Sequence, residues 1–98
     1  MLHKKQKKVQ TEIDEIYEDF VIEIATKIAK KVKGKVFYGY ANIEDMWYII
    51  VKTHEIGEKK FFLDTLDYDM INGVSSKEIA YNIVKFYREL IEKRFFII

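Results

Sequence analysis

Three runs rich in β-branched and aromatic residues stand close together in the middle of the chain, over 36–41, 46–53 and 59–66, each dividing into two sets at alternate positions. Alternation with period two sends successive side chains to opposite faces, which is the pattern of a β-strand. The connections between the runs, 42–45 and 54–58, are short. A parallel crossover needs a dozen residues or more, so consecutive runs pair antiparallel, as a meander. In the first run Val36, Tyr38 and Tyr40 share a face opposite Phe37, Gly39 and Ala41. In the second, Trp47, Ile49 and Val51 oppose Met46, Tyr48 and Ile50. In the third, Phe61, Leu63 and Thr65 oppose Phe62, Asp64 and Leu66.

The flanking segments change period. Over 11–33, Ile13, Ile16, Tyr17, Phe20, Ile24, Ile28 and Val32 follow the i, i+3/i+4 spacing of a helix, and Val21 and Ala25 widen the stripe. Ile22 falls on the opposite face. Thr11 followed by Asp14 suits an N-cap, and Gly34 stands where a C-terminal glycine belongs. Residues 67–73 read as a loop with about one helical turn, closed by Asn72-Gly73. Ser75-Ser76-Lys77-Glu78 is a capping box with Val74 and Ile79 at the staple positions. It opens a second long helix to about Lys93, with Ile79, Ala80, Ile83, Val84, Phe86, Tyr87, Leu90 and Ile91 on its apolar side. The last residues, 95–98, form an apolar tail expected to pack or add a short strand. The order α-β-β-β-α predicts a two-layer α+β domain: a three-stranded antiparallel sheet with two helices on one face.

The 98 residues make one domain, 1–98, with residues 1–10 expected as a basic, frayed N-terminal segment. With 49% hydrophobic and 34% charged residues, the chain belongs to folded proteins rather than disordered ones. It has no cysteine, which excludes disulfides, thiolate metal sites and a cysteine nucleophile. Its net charge of +1 gives no global pull toward nucleic acid or an anionic membrane. The longest apolar run, 46–51, is far shorter than a membrane span, and no apolar stretch follows the basic start. The expected setting is the cytoplasm.

Candidate chemistry is sparse. His3 lies in the basic segment and His54 at a strand end. The only serines, Ser75 and Ser76, belong to the helix cap, so no Ser-His-Asp constellation forms. No cofactor and no metal are expected. Asp64, Asp67 and Asp69 read as a solvated acidic loop rather than a cation site. Glu58-Lys59-Lys60 contains Glu-x-Lys, and with the α-β-β-β-α order it resembles the core of PD-(D/E)xK nucleases. That resemblance implies an Asp on the preceding strand and a Glu holding metal, with the Lys activating water. Here Glu58 is expected in a turn, and Glu44 or Asp45 precedes the second strand.

Three surfaces remain as binding candidates. The aromatics Tyr38, Tyr40, Trp47, Tyr48, Phe61 and Phe62 exceed what one helix-covered sheet face can hold. The surplus predicts an open face that meets a protein partner or a second copy of the chain. Glu55, Glu58, Asp64, Asp67 and Asp69 form a candidate acidic patch for a partner. Lys27, Lys30, Lys31, Lys33 and Lys35 form the basic surface that nucleic acid would use together with the sheet aromatics.

The stretch Leu66-Asp67-Tyr68-Asp69-Met70-Ile71-Asn72-Gly73-Val74-Ser75-Ser76-Lys77-Glu78-Ile79-Ala80, ending in Tyr87-Arg88-Glu89-Leu90, resembles the C-terminal half of small phage and prophage proteins of low-GC Gram-positive bacteria. The α-β-β-β-α layout is similar to some small type II anti-CRISPR proteins, which imitate nucleic acid with acidic side chains. Together these resemblances imply a non-enzymatic protein-binding or inhibitory module that occupies a host or defence protein in the host cytoplasm. The alternative expectation is a small nucleic-acid-binding protein, and the third is a metal-dependent nuclease.

Overall fold

The computed structural model describes residues 12–97. The basic segment 1–10, with His3, and the Thr11 cap lie outside the described residues, as does Ile98. The chain runs α1 (Glu12–Ala29), β1 (Gly34–Ala41), β2 (Met46–Thr53), β3 (Gly57–Phe62), α2 (Leu66–Ile71) and α3 (Ser76–Ile97). The strands form one antiparallel sheet in the order β1-β2-β3, giving a small α+β fold.

The period-2 faces of the strands align through the register. Tyr38 pairs with Ile49 and Ile49 with Phe61; Val36 pairs with Val51. Partners directly opposite share a face, so Val36, Tyr38, Tyr40, Trp47, Ile49, Val51 and Phe61 all turn to one side. Ile49 and Val51 are fully buried there, together with Val21, Ile24 and Ile28 of α1. Leu66 of α2 and Ala80, Val84 and Tyr87 of α3 complete the core. Burying each of the larger aliphatic side chains contributes about 1.5–3 kcal/mol.

A buried polar chain ties the sheet to α3. The Thr53 and Tyr87 hydroxyls are 2.5 Å apart. The Ile56 N–H donates to Thr53 Oγ1 at 3.4 Å, and Tyr87 Oη donates to the Gly57 carbonyl at 3.4 Å. With Thr53 donating to Tyr87, every group in the chain is satisfied in one direction. The β2–β3 turn is thereby fastened to the last helix.

Several boundaries differ from the sequence expectation. Helix α1 stops at Ala29, and residues 30–33 form the turn into β1. Gly34 does not cap the helix; it opens β1 opposite Thr53. A Cβ there would stand 2.2 Å from the Lys52 carbonyl oxygen, so close backbone approach is what calls for glycine. Strand β3 ends at Phe62, and the Leu66 N–H turns back to the Leu63 carbonyl at 3.3 Å. Leu66 is therefore a buried residue of α2, not a strand residue. The apolar tail is neither a strand nor separate: α3 continues through Phe95 to Ile97. No Gly or Pro interrupts 92–97, so nothing stops the helix at Lys93. The Ser75 cap of the expected capping box is present, with Ser75 Oγ accepting the Glu78 N–H at 3.1 Å. Ile22 is exposed as expected, but Ile16 is also 55% exposed.

Candidate functional site

The six sheet aromatics divide between the two faces. Tyr38, Tyr40, Trp47 and Phe61 lie on the helix side, with Tyr38, Trp47 and Phe61 packed against the core. Tyr40 meets Trp47 edge-on at 5.3 Å, and Phe61 meets Phe86 and Tyr87 at 6.0 and 6.4 Å. The Tyr38 hydroxyl donates to Glu18 Oε2 at 3.3 Å. Its pKa is raised, first by burial and then by the Glu18 charge. Tyr38, Trp47 and Phe61 are committed to the two-layer interior, on the face of Val36, Ile49 and Val51 that the helices cover, whereas Tyr40 at the end of that face is 38% exposed.

Only Tyr48 and Phe62 of the six stand on the open face. The register adds residues that sequence reasoning did not single out for this face. One row across the sheet is Phe37–Ile50–Lys60, the next is Gly39–Tyr48–Phe62, and the terminal row is Lys35–Lys52–Glu58. Phe37 is 48% and Phe62 38% exposed, while Tyr48 and Ile50 are half-buried. The alternation of Phe37 with Gly39, and of Tyr48 with Ile50, is the signal from which this face can be read.

The centre of the face is organised around Gly39. A Cβ at Gly39 would stand 2.4 Å from the Tyr48 hydroxyl oxygen and 2.7 Å from its Cζ. The Tyr48 ring therefore lies across β1 in the space a side chain would take. Phe62 meets that ring edge-on at 6.2 Å. Lys60 Nζ stands 4.5 Å from the Tyr48 ring centroid and 5.5 Å from that of Phe62. A cation over two aromatic rings is electrostatically attracted to both.

The acidic candidates do not form one patch. Glu55 and Glu58 stand at the β2–β3 turn, whereas Asp64 precedes α2 and Asp67 and Asp69 lie in its first turn, at the far end of β3. Six extended residues, roughly 20 Å, separate Glu58 from Asp64. Asp69 Oδ2 accepts the Thr65 hydroxyl at 3.0 Å. Asp64 and Asp69 edge a groove of about 220 Å³ walled by Phe61, Leu63, Leu66, Ile79 and Ile83. That volume is below the range of ordinary small-molecule sites.

Glu58, expected in the turn, is the second residue of β3. Asp45, in the β1–β2 turn, is at the opposite end of β2, roughly 23 Å of extended chain from the Lys52 that pairs with Glu58. The nuclease arrangement of an Asp beside the Glu is therefore not assembled by these residues. Among the described residues, no group of three His, Asp or Glu side chains converges as a metal site. His54 is exposed in the β2–β3 turn, and Ser76 is buried as the first residue of α3.

The lysines fall into a band. Lys30, Lys31 and Lys33 are exposed in the turn that feeds β1, and Lys35 follows on the open face; Lys27 is half-buried on α1. The Lys31 carbonyl accepts Arg88 Nη2 at 3.0 Å, which fixes this turn against α3. Among the described residues, no helix is long and apolar enough to cross a membrane. Comparison with protein-family models, curated proteins and solved structures finds no match to this chain.

Proposed function

We propose that the chain is a non-enzymatic binding module whose working surface is the open face of the sheet. The observation that carries this is the exposure of Phe37 and Phe62 there, beside half-buried Tyr48 and Ile50, while both long helices pack on the other side. Aromatic side chains left at a solvent-facing sheet surface mark an interaction site. Support also comes from where the remaining chemistry goes. The Ser75 hydroxyl is used as a helix cap, Tyr38 is held by Glu18, and Thr53 and Tyr87 are locked to each other.

The area of the face bears on what it meets. With Tyr38, Trp47 and Phe61 packed against the core and Tyr40 on the helix side, the apolar strip exposed on the open face amounts to roughly a few hundred Å², the size of the largest patch on ordinary monomers. A stable protein interface takes roughly 800 Å² from each partner. The large self-associating surface expected from the aromatic count is reduced accordingly.

The test compares wild type with Phe37→Glu/Phe62→Glu, each immobilised and exposed to a cell extract. Protein and nucleic-acid fractions are quantified separately. Material retained by wild type should be lost from the variant, whose circular dichroism stays unchanged. Equal retention by both would place the working surface elsewhere and contradict the proposal.

A further inference from the structure

We infer that the ligand of this face is single-stranded nucleic acid, bound through base stacking on Phe37, Tyr48 and Phe62 and phosphate contacts to Lys35, Lys52 and Lys60. The inference rests on the open face being the working surface, and names what occupies it.

Charge is the first ground. Within the paired strands the face carries Lys35, Lys52 and Lys60 against the carboxylate of Glu58, a balance of +2 in a chain whose total is +1, while the exposed acids Glu44, Asp45 and Asp64 lie at the opposite end of the sheet. Lys35 stands directly opposite Lys52 in the register. Like charges facing each other across a strand pair are unfavourable; Glu58, opposite Lys52 on its other side, offsets part of that repulsion, and a bound phosphate would offset the rest. Exposed Lys30, Lys31 and Lys33 lie in the turn that leads into β1, at the Lys35 end of the sheet, where Arg88 ties the turn to α3. Glu55 and Glu58 border this end on the β3 side only. The acidic residues of α1, among them Glu15, Asp19 and Glu23, belong to an element packed on the opposite face.

The interleaving of rings and cations is the second ground. Phe37 and Phe62 flank Tyr48, two strand spacings apart and one row offset, roughly 10–12 Å. Planar bases stack on such rings without needing a particular sequence. Lys60 lies over Tyr48 and Phe62 by a flexible stem, so it can swing to a phosphate while a base takes its place.

A second copy of the chain fits less well. Two such faces pressed together would bring six lysines and two glutamates into one interface, and burying unpaired charge is unfavourable. The apolar strip is also well short of what a stable dimer buries. A double helix fits poorly as well, since its bases are stacked on each other and offer no free faces.

The experiment is fluorescence anisotropy of the full chain with a labelled 20-nucleotide oligothymidylate, an oligouridylate of equal length and a 20-base-pair duplex. Binding of the single strands should have Kd of roughly 1–100 μM at 50 mM salt. Three phosphate contacts imply affinity falling about 20-fold between 50 and 200 mM salt. Phe62→Ala should weaken binding about tenfold or more. Lys52→Gln should weaken it modestly and flatten the salt dependence by about one contact, whereas Lys85→Gln on α3 should change neither. Both lysine variants are exposed positions, so folding is not at issue. No single-strand binding at 100 μM protein, tighter binding of the duplex, or equal effects of Lys52→Gln and Lys85→Gln would overturn the inference. If nucleic acid fails but Phe37→Glu/Phe62→Glu still releases a retained protein or abolishes a dimer mass in sedimentation, the ligand assignment falls and the working surface stands. If that variant changes nothing either, both fall.

Discussion

The Thr53–Tyr87 pair gives the sharpest test of how the sheet is held to α3. Both residues are buried, and their hydroxyls form the middle of a chain from the Ile56 N–H to the Gly57 carbonyl. Tyr87→Phe keeps the ring and its contact with Phe61 but removes the oxygen. Two hydrogen bonds vanish and the Thr53 proton loses its acceptor. A net bond contributes about 1 kcal/mol, and a stranded buried donor costs about 1–3 kcal/mol. The expected loss is about 2 kcal/mol, or roughly 10 °C in thermal midpoint for a chain this size. Thr53→Val keeps the shape and removes the same link from the other side, at about 1–2 kcal/mol. In the double variant no polar group of this pair is left stranded. Its loss should therefore fall short of the sum of the single losses by about 1 kcal/mol. Urea unfolding of all four proteins measures this, with unchanged m-values as the check that the unfolded state is the same. Additive losses within about 0.5 kcal/mol would refute the linked hydroxyl chain.

Three further outcomes follow from single sites. Ser75→Ala removes the acceptor for the Glu78 N–H and should destabilise by about 1 kcal/mol in the same urea assay, with oligonucleotide binding unchanged. Gly34→Ala drives a Cβ against the Lys52 carbonyl and should cost about 2 kcal/mol, more than an ordinary surface change; full stability would show that the β1–β2 backbones are not in contact there. Tyr38 holds its proton more firmly folded than unfolded, since burial and then Glu18 disfavour the phenolate. A raised pKa of this kind leaves stability intact below the ordinary tyrosine value of about 10 and erodes it as pH rises beyond. Stability measured from pH 8 to 11 should therefore fall less steeply in Tyr38→Phe than in wild type.

Much of the fold is legible from local pattern. The two faces of each strand are written in the alternation: Tyr38 against Phe37, Ile49 against Tyr48, Phe61 against Phe62. The helix start at Ser75 is equally local, because a cap is decided within one turn. What the pattern does not contain is which face of one strand joins which face of the next. That depends on register, set by the turns 42–45 and 54–56. Moving a strand by one residue exchanges its faces, so counting aromatics overstates the open surface. Phe37 and Ile50, with Lys52 and Lys60, enter the site only once Phe37 is paired with Ile50 and Ile50 with Lys60. Gly34 is misread for the same reason. A helix-ending glycine and a close-approach glycine look alike until the Lys52 carbonyl is placed beside one of them. The long α3 shows the reverse: without a breaker after Lys93, helix propensity alone carries it to Ile97.

The central claim is that the open sheet face takes single-stranded nucleic acid. The most direct measurement is a nitrogen–proton correlation spectrum of the labelled protein as oligothymidylate is added at 50 mM salt. The amide shifts should concentrate at Lys35, Phe37, Tyr48, Ile50, Lys52, Lys60 and Phe62, with the exposed turn at Lys33 following. Amides of α1 around Val21–Ile28 and of α3 around Ala80–Tyr87 should stay in place. Shifts centred instead on the α2 groove or on the α1–α3 surface, or no shifts at all, would contradict the account.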